Sequence, residues 1–350
     1  MFILPKEIAI YGIGFYGASC FEYINDNLDT QISHIIDNNL CLKNHNYNGI
    51  PVISYQNYLD LKLELFIVIT IRSGNAIELD EIVKSTTNYI YFDQLYILNN
   101  YKDLNNVGNL FQDDESKILF SSILGKRSSF IGRVENSLIK SDQYFCLPDF
   151  QRSANQLFID CGAYVGDTFE KWVQINEGNI GGYIGIDPFI EHSRLFKNRL
   201  KRLKSEYILD EKNINFIVAF VSNCHSSTTL NHNLNNRSRT SLTRNETNTS
   251  GKKKNPVEII KIDDLVIKSL EKYNSIFIKM DIEGSEFKAL LGAEKFIKKY
   301  KPLMAISVYH RIDDLIRIPL LIKSFTNEYK LFLRHHSPTV DETILYCIPN

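Results

Sequence analysis

The second half of the chain places an acid and two glycines at the end of an apolar run. The stretch LFIDCGAYVGDT (157–168) ends that run with Asp160 and continues with Gly162 and Gly166. Gly162 has no Cβ, so a ligand can approach its backbone closely, and Gly166 lets the following helix begin tightly against the sheet. Asp160 offers an acceptor to an ammonium or hydroxyl group. The pattern predicts a cofactor seat between a strand and a helix.

A second acid lies at the spacing that such a seat requires. Asp187 ends the next apolar run, GYIGIDPF, about twenty residues beyond the glycines. There a carboxylate can accept two hydrogen bonds from a ribose diol. Pro188 lacks an N–H and ends the strand. Asp167 and Thr168 fall in the first turn of the predicted helix, where they can cap it and bond a ligand.

A group of acids follows a later apolar run. The stretch IFIKMDIEGSEF (276–287) carries Asp281, Glu283 and Glu286 at a predicted strand tip and helix start. Acids at a helix N-terminus are stabilised by its dipole, which is a structural explanation of the pattern. Asp281, however, closes a near-continuous apolar run, and acids are rarely buried without a partner. This favours a chemical role for Asp281.

His310 follows the next strand candidate, in PLMAISVYHRIDD, at the same expected edge of the sheet. We expect His310 or Asp281 to take a proton from a hydroxyl acceptor, with His336 close by. The rival route is a divalent ion, Mg²⁺ or Mn²⁺, held by Asp281, Glu283, His310 and Asp313, which would lower the pKa of the acceptor hydroxyl. The spacing of these residues does not decide between the two routes.

The elements that must position these residues alternate between strand and helix. From residue 151 the strand candidates are 157–161, 182–187, 214–221, 275–281 and 303–309. Two further runs, 329–336 and 343–349, are joined by so short a turn that they form an antiparallel hairpin. A parallel sheet finished by such a hairpin is the plan of the class I methyltransferase sheet.

A long polar segment, 223–256, interrupts this second domain between its third and fourth strands. It is rich in Ser, Thr, Asn and basic residues and cannot stabilise a core of its own. Such an insertion is typical of a lid, a binding loop or disorder. Arg237 and Arg239, with neighbouring basic residues, are candidates to meet the phosphate of a nucleotide-linked or lipid-linked sugar. A solvated basic loop is the alternative explanation.

The start of the chain carries a second nucleotide-type turn. YGIGFYG gives Gly12, Gly14 and Gly17 after a strand and before a helix, and Asp37 follows twenty residues later, which fits a dinucleotide site. We expect a small Rossmann-like α/β domain over 1–98. It binds a nucleotide or nucleotide-sugar, docks another protein, or has lost its ligand. Residues 99–150 form a helical connector, and 151–350 form the second domain.

The composition narrows the class of protein. A length of 350 residues favours two domains, and a net charge of -1 gives no support to a nucleic-acid or membrane-surface partner. The longest apolar stretches have strand length, so we expect no transmembrane segment. Six scattered cysteines without a Cys-x-x-Cys pair indicate a reducing compartment. A composition rich in Asn, Ile, Lys and Tyr is compatible with a bacterial cytoplasmic protein.

Together these motifs resemble a known family. FIDCGAYVGDT, GIDPF, IKMDIEGSEFKALLGAEKFIKKYKPLMAISVYHR and the closing LRHHSPTVDETILYCIP are similar to the FkbM family of S-adenosylmethionine-dependent methyltransferases. The resemblance covers about residues 150–350 and is most specific around 278–286. It implies O-methylation, commonly of a sugar or polyketide hydroxyl.

The resemblance also implies site residues. The cofactor is expected to contact Asp160, Gly162, Ala163, Tyr164, Gly166, Asp167, Thr168, Asp187 and Pro188. Tyr164 stands where many members carry a small or amide residue. Catalysis is expected from Asp281, His310 and His336, and acceptor binding from Glu283, Arg237 and Arg239.

The expected function is therefore O-methylation of a glycan, nucleotide-sugar or lipid-linked saccharide, in polysaccharide biosynthesis. Two other classes stay open: an NAD-dependent sugar-modifying oxidoreductase that uses Gly12 to Gly17, and a non-catalytic protein with two binding modules. The first lacks an obvious catalytic Lys or Tyr-x-x-x-Lys pattern. The expected partner is a saccharide acceptor, with homo-oligomerisation or docking through the amino-terminal domain.

Overall fold

The chain forms two compact units. The computed structural model describes residues 2–39, 46–71, 88–129, 133–229, 256–265, 267 and 270–350. Unit 1 consists of Met1–Asn106 and Phe120–Val134, and unit 2 of Val107–Leu119 and Glu135–Asn350. The segment 99–150, predicted as a connector, is thus divided between the two units.

Unit 1 is built on one mixed sheet of short apolar strands. Their spatial order is β3-β4-β2-β1-β5-β6, with β3 antiparallel to β4 and the other pairs parallel. The strands are β1 (Glu7–Tyr11), β2 (Gln31–Ile36), β3 (Asn46–Tyr47), β4 (Ile50–Ile53), β5 (Phe66–Ile69) and β6 (Tyr89–Tyr91). Parallel strands need helical crossovers, so this sheet has the α/β character that the alternating sequence predicts.

Helices accompany this sheet. They are α1 (Phe15–Asn27), α2 (Tyr55–Asp60) and α3 (Phe92–Asn99), followed by α4 (Tyr101–Gly108) and α5 (Asp114–Ser129), which span the division between the units. The stretch YGASCFEYINDN (16–27) predicts a helix that opens on Gly17, but the helix begins two residues earlier, after Gly14 as its N-cap. The stretch NAIELDEIVKS (75–85) predicts a further helix, and it lies outside the described residues.

Unit 2 contains a seven-stranded sheet in the order β15-β16-β14-β13-β7-β8-β9. All neighbours are parallel except β16, which is antiparallel to both β14 and β15. The strands are β7 (Gln156–Cys161), β8 (Gly182–Ile186), β9 (Ile214–Ile217), β13 (Ser275–Met280), β14 (Leu303–Ser307), β15 (Tyr329–His335) and β16 (Thr343–Pro349). The predicted parallel sheet with a closing antiparallel hairpin is confirmed.

The central strands are buried on both faces. Every residue of β7 and β8 is buried, as expected when helices cover both sides of a parallel sheet. Phe158 of β7 stacks on Phe277 of β13 with ring centroids 4.6 Å apart and an interplanar angle of 8°. Trp172 packs edge-on against Phe158 at 5.2 Å. This aromatic layer fixes β7 and β13 side by side.

The helices of unit 2 follow the strands as crossovers. They are α6 (Asp167–Ile175), α7 (Ile190–Glu206), α8 (Glu286–Leu291), α9 (Glu294–Tyr300) and α10 (Asp314–Phe325). From β7 the chain runs outward through β8 to β9, and it then crosses back to form β13 and β14 on the other side of β7. The junction between β7 and β13 is therefore a topological switch point. Ligands of open α/β sheets bind at such a point, beyond the carboxyl ends of the strands.

A small second sheet lies beside the predicted insertion. It contains β10 (Ala219–Val221), β11 (Ser226–Thr229) and β12 (Pro256–Ile260), in the order β10-β12-β11. The run 214–221, predicted as one strand, is therefore two strands in different sheets. The remainder of the insertion lies outside the described residues. Within the ranges described above, no helix is both long and apolar enough to cross a membrane.

Candidate active site

The turn after β7 packs directly on the end of β13. Gly162 has φ +83°, and a Cβ at this position would lie 1.9 Å from the carbonyl oxygen of Asp281. Only glycine fits that contact and that backbone conformation. Sequence reasoning assigned the space to a ligand, whereas the structure fills it with the backbone of Asp281. The cofactor-type turn and the predicted catalytic acid therefore lie side by side at the switch point.

Gly166 starts helix α6 as its N-cap, with φ +80°. A Cβ at Gly166 would lie 2.5 Å from Cδ2 of Phe196 on α7, so the small residue lets the two helices approach closely. Asp167 is exposed and Thr168 is buried in the first turn of α6. Because Gly166 has no side chain, the first N–H groups of α6 have no cap from their N-cap residue.

Asp187 lies at the tip of β8 and holds the turn in place. Its Oδ2 accepts the N–H of Tyr164 at 3.1 Å, and its Oδ1 accepts the N–H of Phe189 at 3.0 Å. His192 Nδ1 lies 2.7 Å from the same Oδ1, so it donates the third hydrogen bond. A carboxylate has about four acceptor positions. Within the described part of the chain, one position on Oδ2 is left for a ligand hydroxyl.

Aromatic rings surround Asp187. Tyr164 adopts φ +45° and is 50% exposed, and its ring lies edge-on to His192 at 4.6 Å. Phe189 lies 4.8 Å from His192 on the other side. An acceptor beside flat apolar rings suits a nucleoside, whose sugar donates hydrogen bonds and whose base has apolar faces. Of the other predicted cofactor residues, Ala163 is buried beneath the turn and Pro188 is half-buried.

Asp160 does not face this site. It is completely buried, with Lys279 Nζ 3.1 Å from its Oδ1 and the Tyr183 hydroxyl donating to Oδ2 at 2.9 Å. Lys279 also donates to the carbonyl oxygen of Gly162 at 2.7 Å. Burial raises the pKa of Asp160, and the Lys279 ammonium opposes this shift only in part. Through Lys279 the carboxylate of Asp160 supports the turn from inside the sheet, and the cofactor contact expected for Asp160 stays a prediction.

Asp281 follows β13 and is held by two tyrosines. Its Oδ2 accepts the Tyr144 hydroxyl at 2.7 Å and its Oδ1 accepts the Tyr309 hydroxyl at 3.2 Å. Burial would raise the pKa of Asp281, but Lys279 and His310 more than offset this and lower it. The side chain remains partly exposed and ionised, so it can accept a hydrogen bond from a bound hydroxyl.

His310 lies among three carboxylates. Its Nδ1 is 2.9 Å from Oε1 of Glu286, and its Nε2 is 3.4 Å from Oδ1 of Asp281 and 3.5 Å from Oε2 of Glu283. Burial would lower the pKa of His310, but these carboxylates raise it to about 10. Without a bound metal ion, the ring holds its proton at neutral pH and has no lone pair with which to accept another. In that state the ring is a hydrogen-bond donor, and the general-base role expected for His310 stays a prediction.

Glu286 orients the His310 ring through its contact with Nδ1. Glu286 is completely buried in the first turn of α8, and its Oε1 also accepts the N–H of Ile282 at 2.8 Å. Glu283 and Gly284, at φ +55° and +91°, form the tight turn that brings Glu286 back under Asp281. The sequence grouped Glu286 with the other acids but gave it no role, because burial of a helix-start acid is not visible in the pattern.

His336 has other neighbours. Its Nδ1 lies 2.9 Å from the carbonyl oxygen of Lys140, so Nδ1 donates, and its Nε2 accepts the Tyr346 hydroxyl at 3.1 Å. Burial lowers the pKa of His336 to about 4. Both ring nitrogens are engaged in these structural contacts, so the catalytic role of His336 stays a prediction without a contact to Asp281 among the described residues.

Three predicted residues remain: Asp313, Arg237 and Arg239. Asp313 pairs with Arg311 at 3.2 Å and with Arg317 at 3.0 Å. Arg237 and Arg239 lie outside the described residues. Tyr144 and Tyr309 were missed by sequence reasoning. Tyr309 directly precedes His310, which is a usable signal, whereas nothing in the sequence around Tyr144 indicates its position.

Comparison with known proteins identifies the family. The sequence matches the Methyltransferase FkbM domain over residues 160–336, slightly more than half of the chain. The chain belongs to the FkbM methyltransferase family. The match begins at Asp160, ends at His336 and contains Asp187, Asp281 and His310. No curated protein matches the chain.

Solved structures support the fold of this methyltransferase. The crystal structure of Methyltransferase FkbM from Methylobacillus flagellatus KT is 21% identical, with a TM-score of 0.56, and the alignment covers 98% of this chain and 90% of that one. A precorrin-6Y C5,15-methyltransferase from Geobacter metallireducens GS-15 is 10% identical, with a TM-score of 0.34, and covers 63% and 94%. The second likeness is too low to support an inference.

The methyltransferase carries a related turn in unit 1. Gly12 has φ +88°, and the N–H of Ile13 donates to Oδ2 of Asp37 at 2.9 Å, much as Tyr164 does to Asp187. A Cβ at Gly17 would lie 2.1 Å from the carbonyl oxygen of Gly12, whereas one at Gly14 would meet nothing within 4 Å. Nucleotide binding by this unit stays a prediction.

Proposed function

We propose that this methyltransferase transfers a methyl group from S-adenosylmethionine to a hydroxyl group of a saccharide. The observation that carries the proposal is the contact between Gly162 and Asp281, which joins a nucleoside-type turn to a cluster of hydrogen-bonding side chains. A donor in the turn and an acceptor at the cluster would then be neighbours at one switch point. Aligning two reactants in this way is the main contribution a protein can make to a displacement reaction.

The residues of the turn fit S-adenosylmethionine. Asp187 keeps one acceptor position on Oδ2 for a ribose hydroxyl, beside the exposed ring of Tyr164 and close to Phe189. Bound S-adenosylmethionine supplies a methyl group on a sulfonium, and its transfer to a hydroxyl oxygen leaves S-adenosylhomocysteine and one proton. The exposed Asp167 and the uncapped N-terminus of α6 complete the polar side of the seat.

The cluster fits a hydroxyl acceptor. Asp281 and Glu283 are partly exposed carboxylates beside His310, and the hydroxyl of Tyr309 donates to Oδ1 of Asp281. A sugar hydroxyl donates to carboxylates and so is oriented by them. Asp281 is the acceptor for the hydroxyl hydrogen, and Tyr144 holds its other oxygen. Arg237 and Arg239 remain proposed contacts to a phosphate on the saccharide carrier.

Binding of S-adenosylhomocysteine tests the first half of the proposal. Calorimetry on the full chain should show one saturable site. Asp187→Asn removes a charged acceptor, so affinity should fall about 10- to 150-fold, as expected for hydrogen bonds worth ~1.5–3 kcal/mol. Asp149→Asn changes an exposed acid of the same unit and should leave the affinity unchanged. The absence of heat with folded wild-type protein would overturn the proposal.

Transfer to an acceptor tests the second half. The enzyme should be incubated with S-adenosylmethionine and a panel of free sugars, sugar nucleotides and lipid-linked saccharides, with products analysed by mass spectrometry. A product heavier by one methylene unit, methylated on oxygen, is expected. Methylation found only on nitrogen or carbon acceptors would contradict the assignment of the acceptor while leaving the cofactor assignment intact.

A further inference from the structure

We propose that Asp281, Glu283 and His310 bind a divalent cation, through Oδ1, Oε2 and Nε2, and that Glu286 orients the imidazole for this purpose. Nε2 of His310 lies 3.4 Å from Oδ1 of Asp281 and 3.5 Å from Oε2 of Glu283, and on the other side of the ring Glu286 belongs with Asp281 and His310 to a group whose ligand atoms all lie within 4.8 Å of one another. The cation site rests on this geometry alone. Its role, which is to hold the acceptor oxygen near Asp281, rests on the proposed function.

The distances around Nε2 suit coordination better than hydrogen bonding. Nε2 of His310 lies 3.4 Å from Asp281 and 3.5 Å from Glu283. These separations exceed the ~2.7–3.2 Å of an N–H···O hydrogen bond. Ligand atoms bound at about 2.1 Å to one metal ion, at angles between square and tetrahedral, are separated by roughly 3.0–3.5 Å. The two carboxylate oxygens therefore each lie from Nε2 at the spacing expected between two ligands of one metal ion.

The other side of the imidazole has the partner that a metal-binding histidine needs. Nδ1 of His310 donates to Oε1 of Glu286 at 2.9 Å, and Oε1 is itself fixed by the N–H of Ile282. A carboxylate on the far nitrogen keeps the proton on Nδ1, so that a metal ion can replace the proton on Nε2 and take its lone pair. Glu286 is 0% exposed, which makes it a rigid support for a ring that is only 7% exposed.

The cluster carries more negative than positive charge, which favours a bound cation. Three carboxylates face one imidazole, and Oε2 of Glu286 is buried without a hydrogen-bond partner in the described part of the chain. Buried carboxylates are stable only when they are paired or bind metals. Lys279 is close to Asp281 but is already engaged by Asp160 and Gly162. A divalent ion bound to Nε2 would offset more of this negative charge than the single proton that it replaces.

The ligand set indicates which ions to test. Carboxylates suit Mg²⁺ and Mn²⁺, and an imidazole shifts the preference towards a transition metal, so Mn²⁺ matches both ligand types. The structure also distinguishes the proposed ligands from a nearby acid that has other partners. Asp313, which the sequence included in the metal set, is paired with Arg311 and Arg317 instead. It therefore serves as a control acid three residues from His310.

Titration of the chelator-treated full chain with MnCl₂ tests the site. Loss of the electron paramagnetic resonance signal of free Mn²⁺ should show one saturable site per chain, without cofactor or acceptor. Glu283→Gln, a partly exposed position, should weaken Mn²⁺ binding by at least about 10-fold, and Glu286→Gln by about 10- to 100-fold. Asp313→Asn should leave the affinity unchanged. Zn²⁺ should compete for the same site, because both ions use the imidazole.

Two results would overturn the proposal: no saturable Mn²⁺ binding by wild-type protein, or unchanged binding in Glu283→Gln. Because Glu286 is buried, folding of each variant is checked by the emission of Trp172, and Glu283→Gln alone decides if Glu286→Gln fails to fold. Binding of S-adenosylhomocysteine is measured on the same samples. If Mn²⁺ binds and S-adenosylhomocysteine does not, only the proposed cofactor is refuted. If S-adenosylhomocysteine binds and Mn²⁺ does not, only the metal site is refuted.

Discussion

Lys279 Nζ lies 3.1 Å from Asp160 Oδ1, with both side chains almost completely buried, at 3% and 0% exposure. The two residues are direct neighbours on the parallel strands β13 and β7. The ammonium group also reaches the carbonyl oxygen of Gly162, which begins the cofactor-type turn. The first acid of the motif thus acts through an internal ion pair that joins the two strands at the switch point.

Removing one partner of this pair should be more harmful than removing both. Lys279→Met leaves a buried carboxylate without its cation, and we expect a loss of about 3–5 kcal/mol in the free energy of unfolding. The double variant Asp160→Asn/Lys279→Met should be more stable than Lys279→Met alone. Urea unfolding followed by Trp172 emission measures both, because the sole tryptophan is buried in unit 2. Additive losses in the double variant would contradict the pairing.

The direction of Asp160 could not be read from the sequence. Every residue of β7 is buried, so the strand shows no alternation of apolar and polar residues that would assign side chains to faces. The pattern located the end of the strand and the acid on it, but not its partner Lys279, which is 119 residues away. By contrast, the proximity of Asp281 and His310 was predictable, since carboxyl ends of neighbouring parallel strands meet at one edge.

Other parts of the site depend on tertiary packing alone. Tyr144 reaches Asp281 from a segment without periodicity, and Glu286 becomes a support for His310 only because Glu283 and Gly284 turn the chain back. The strands predicted from long apolar runs are present in the structure. By contrast, β11 and β12 are present but were not predicted from the sequence. They are short and lie beside a polar insertion, so propensity does not reveal them.

Two glycines of the amino-terminal turn should respond differently to substitution. Gly17→Ala places a methyl group 2.1 Å from the carbonyl oxygen of Gly12, whereas Gly14→Ala meets nothing within 4 Å. We expect Gly17→Ala to destabilise unit 1 by about 1–3 kcal/mol through overpacking, and Gly14→Ala to leave its stability nearly unchanged. Thermal unfolding of the full chain, followed by circular dichroism, compares them. Equal midpoints would show that the close approach is not maintained in solution.

Tyr164 should combine strain with ligand binding. It is a non-glycine residue at φ +45°, a conformation that costs an L-residue about 1–2 kcal/mol. Tyr164→Gly and Tyr164→Ala both remove the exposed ring, but only glycine relieves the strain. Tyr164→Gly should therefore be the more stable of the two by about 1 kcal/mol.

Both Tyr164 variants should bind S-adenosylhomocysteine about 2- to 10-fold more weakly than wild-type protein, as expected for one aromatic contact of ~0.5–1.5 kcal/mol. Calorimetry and urea unfolding on the same preparations give the two quantities. Unchanged affinity in both variants would remove Tyr164 from the cofactor seat. Equal stability of the glycine and alanine variants would argue against the left-handed backbone.

His336 should make unit 2 sensitive to mild acid. Burial lowers its pKa in the folded protein to about 4, against about 6.5 for an unfolded histidine. As the pH falls below about 6.5 the unfolded chain takes up a proton that the folded chain does not. The unfolded state then binds more protons, so stability decreases with falling pH until about pH 4, by roughly 3 kcal/mol in total. Above about pH 6.5 this contribution does not change.

Urea unfolding of His336→Asn between about pH 7 and about pH 4 should show a smaller decrease in the free energy of unfolding than wild-type protein shows. The variant starts less stable, because contacts to Lys140 and Tyr346 are altered. Parallel pH profiles of the two proteins would mean that His336 titrates normally and is accessible to solvent.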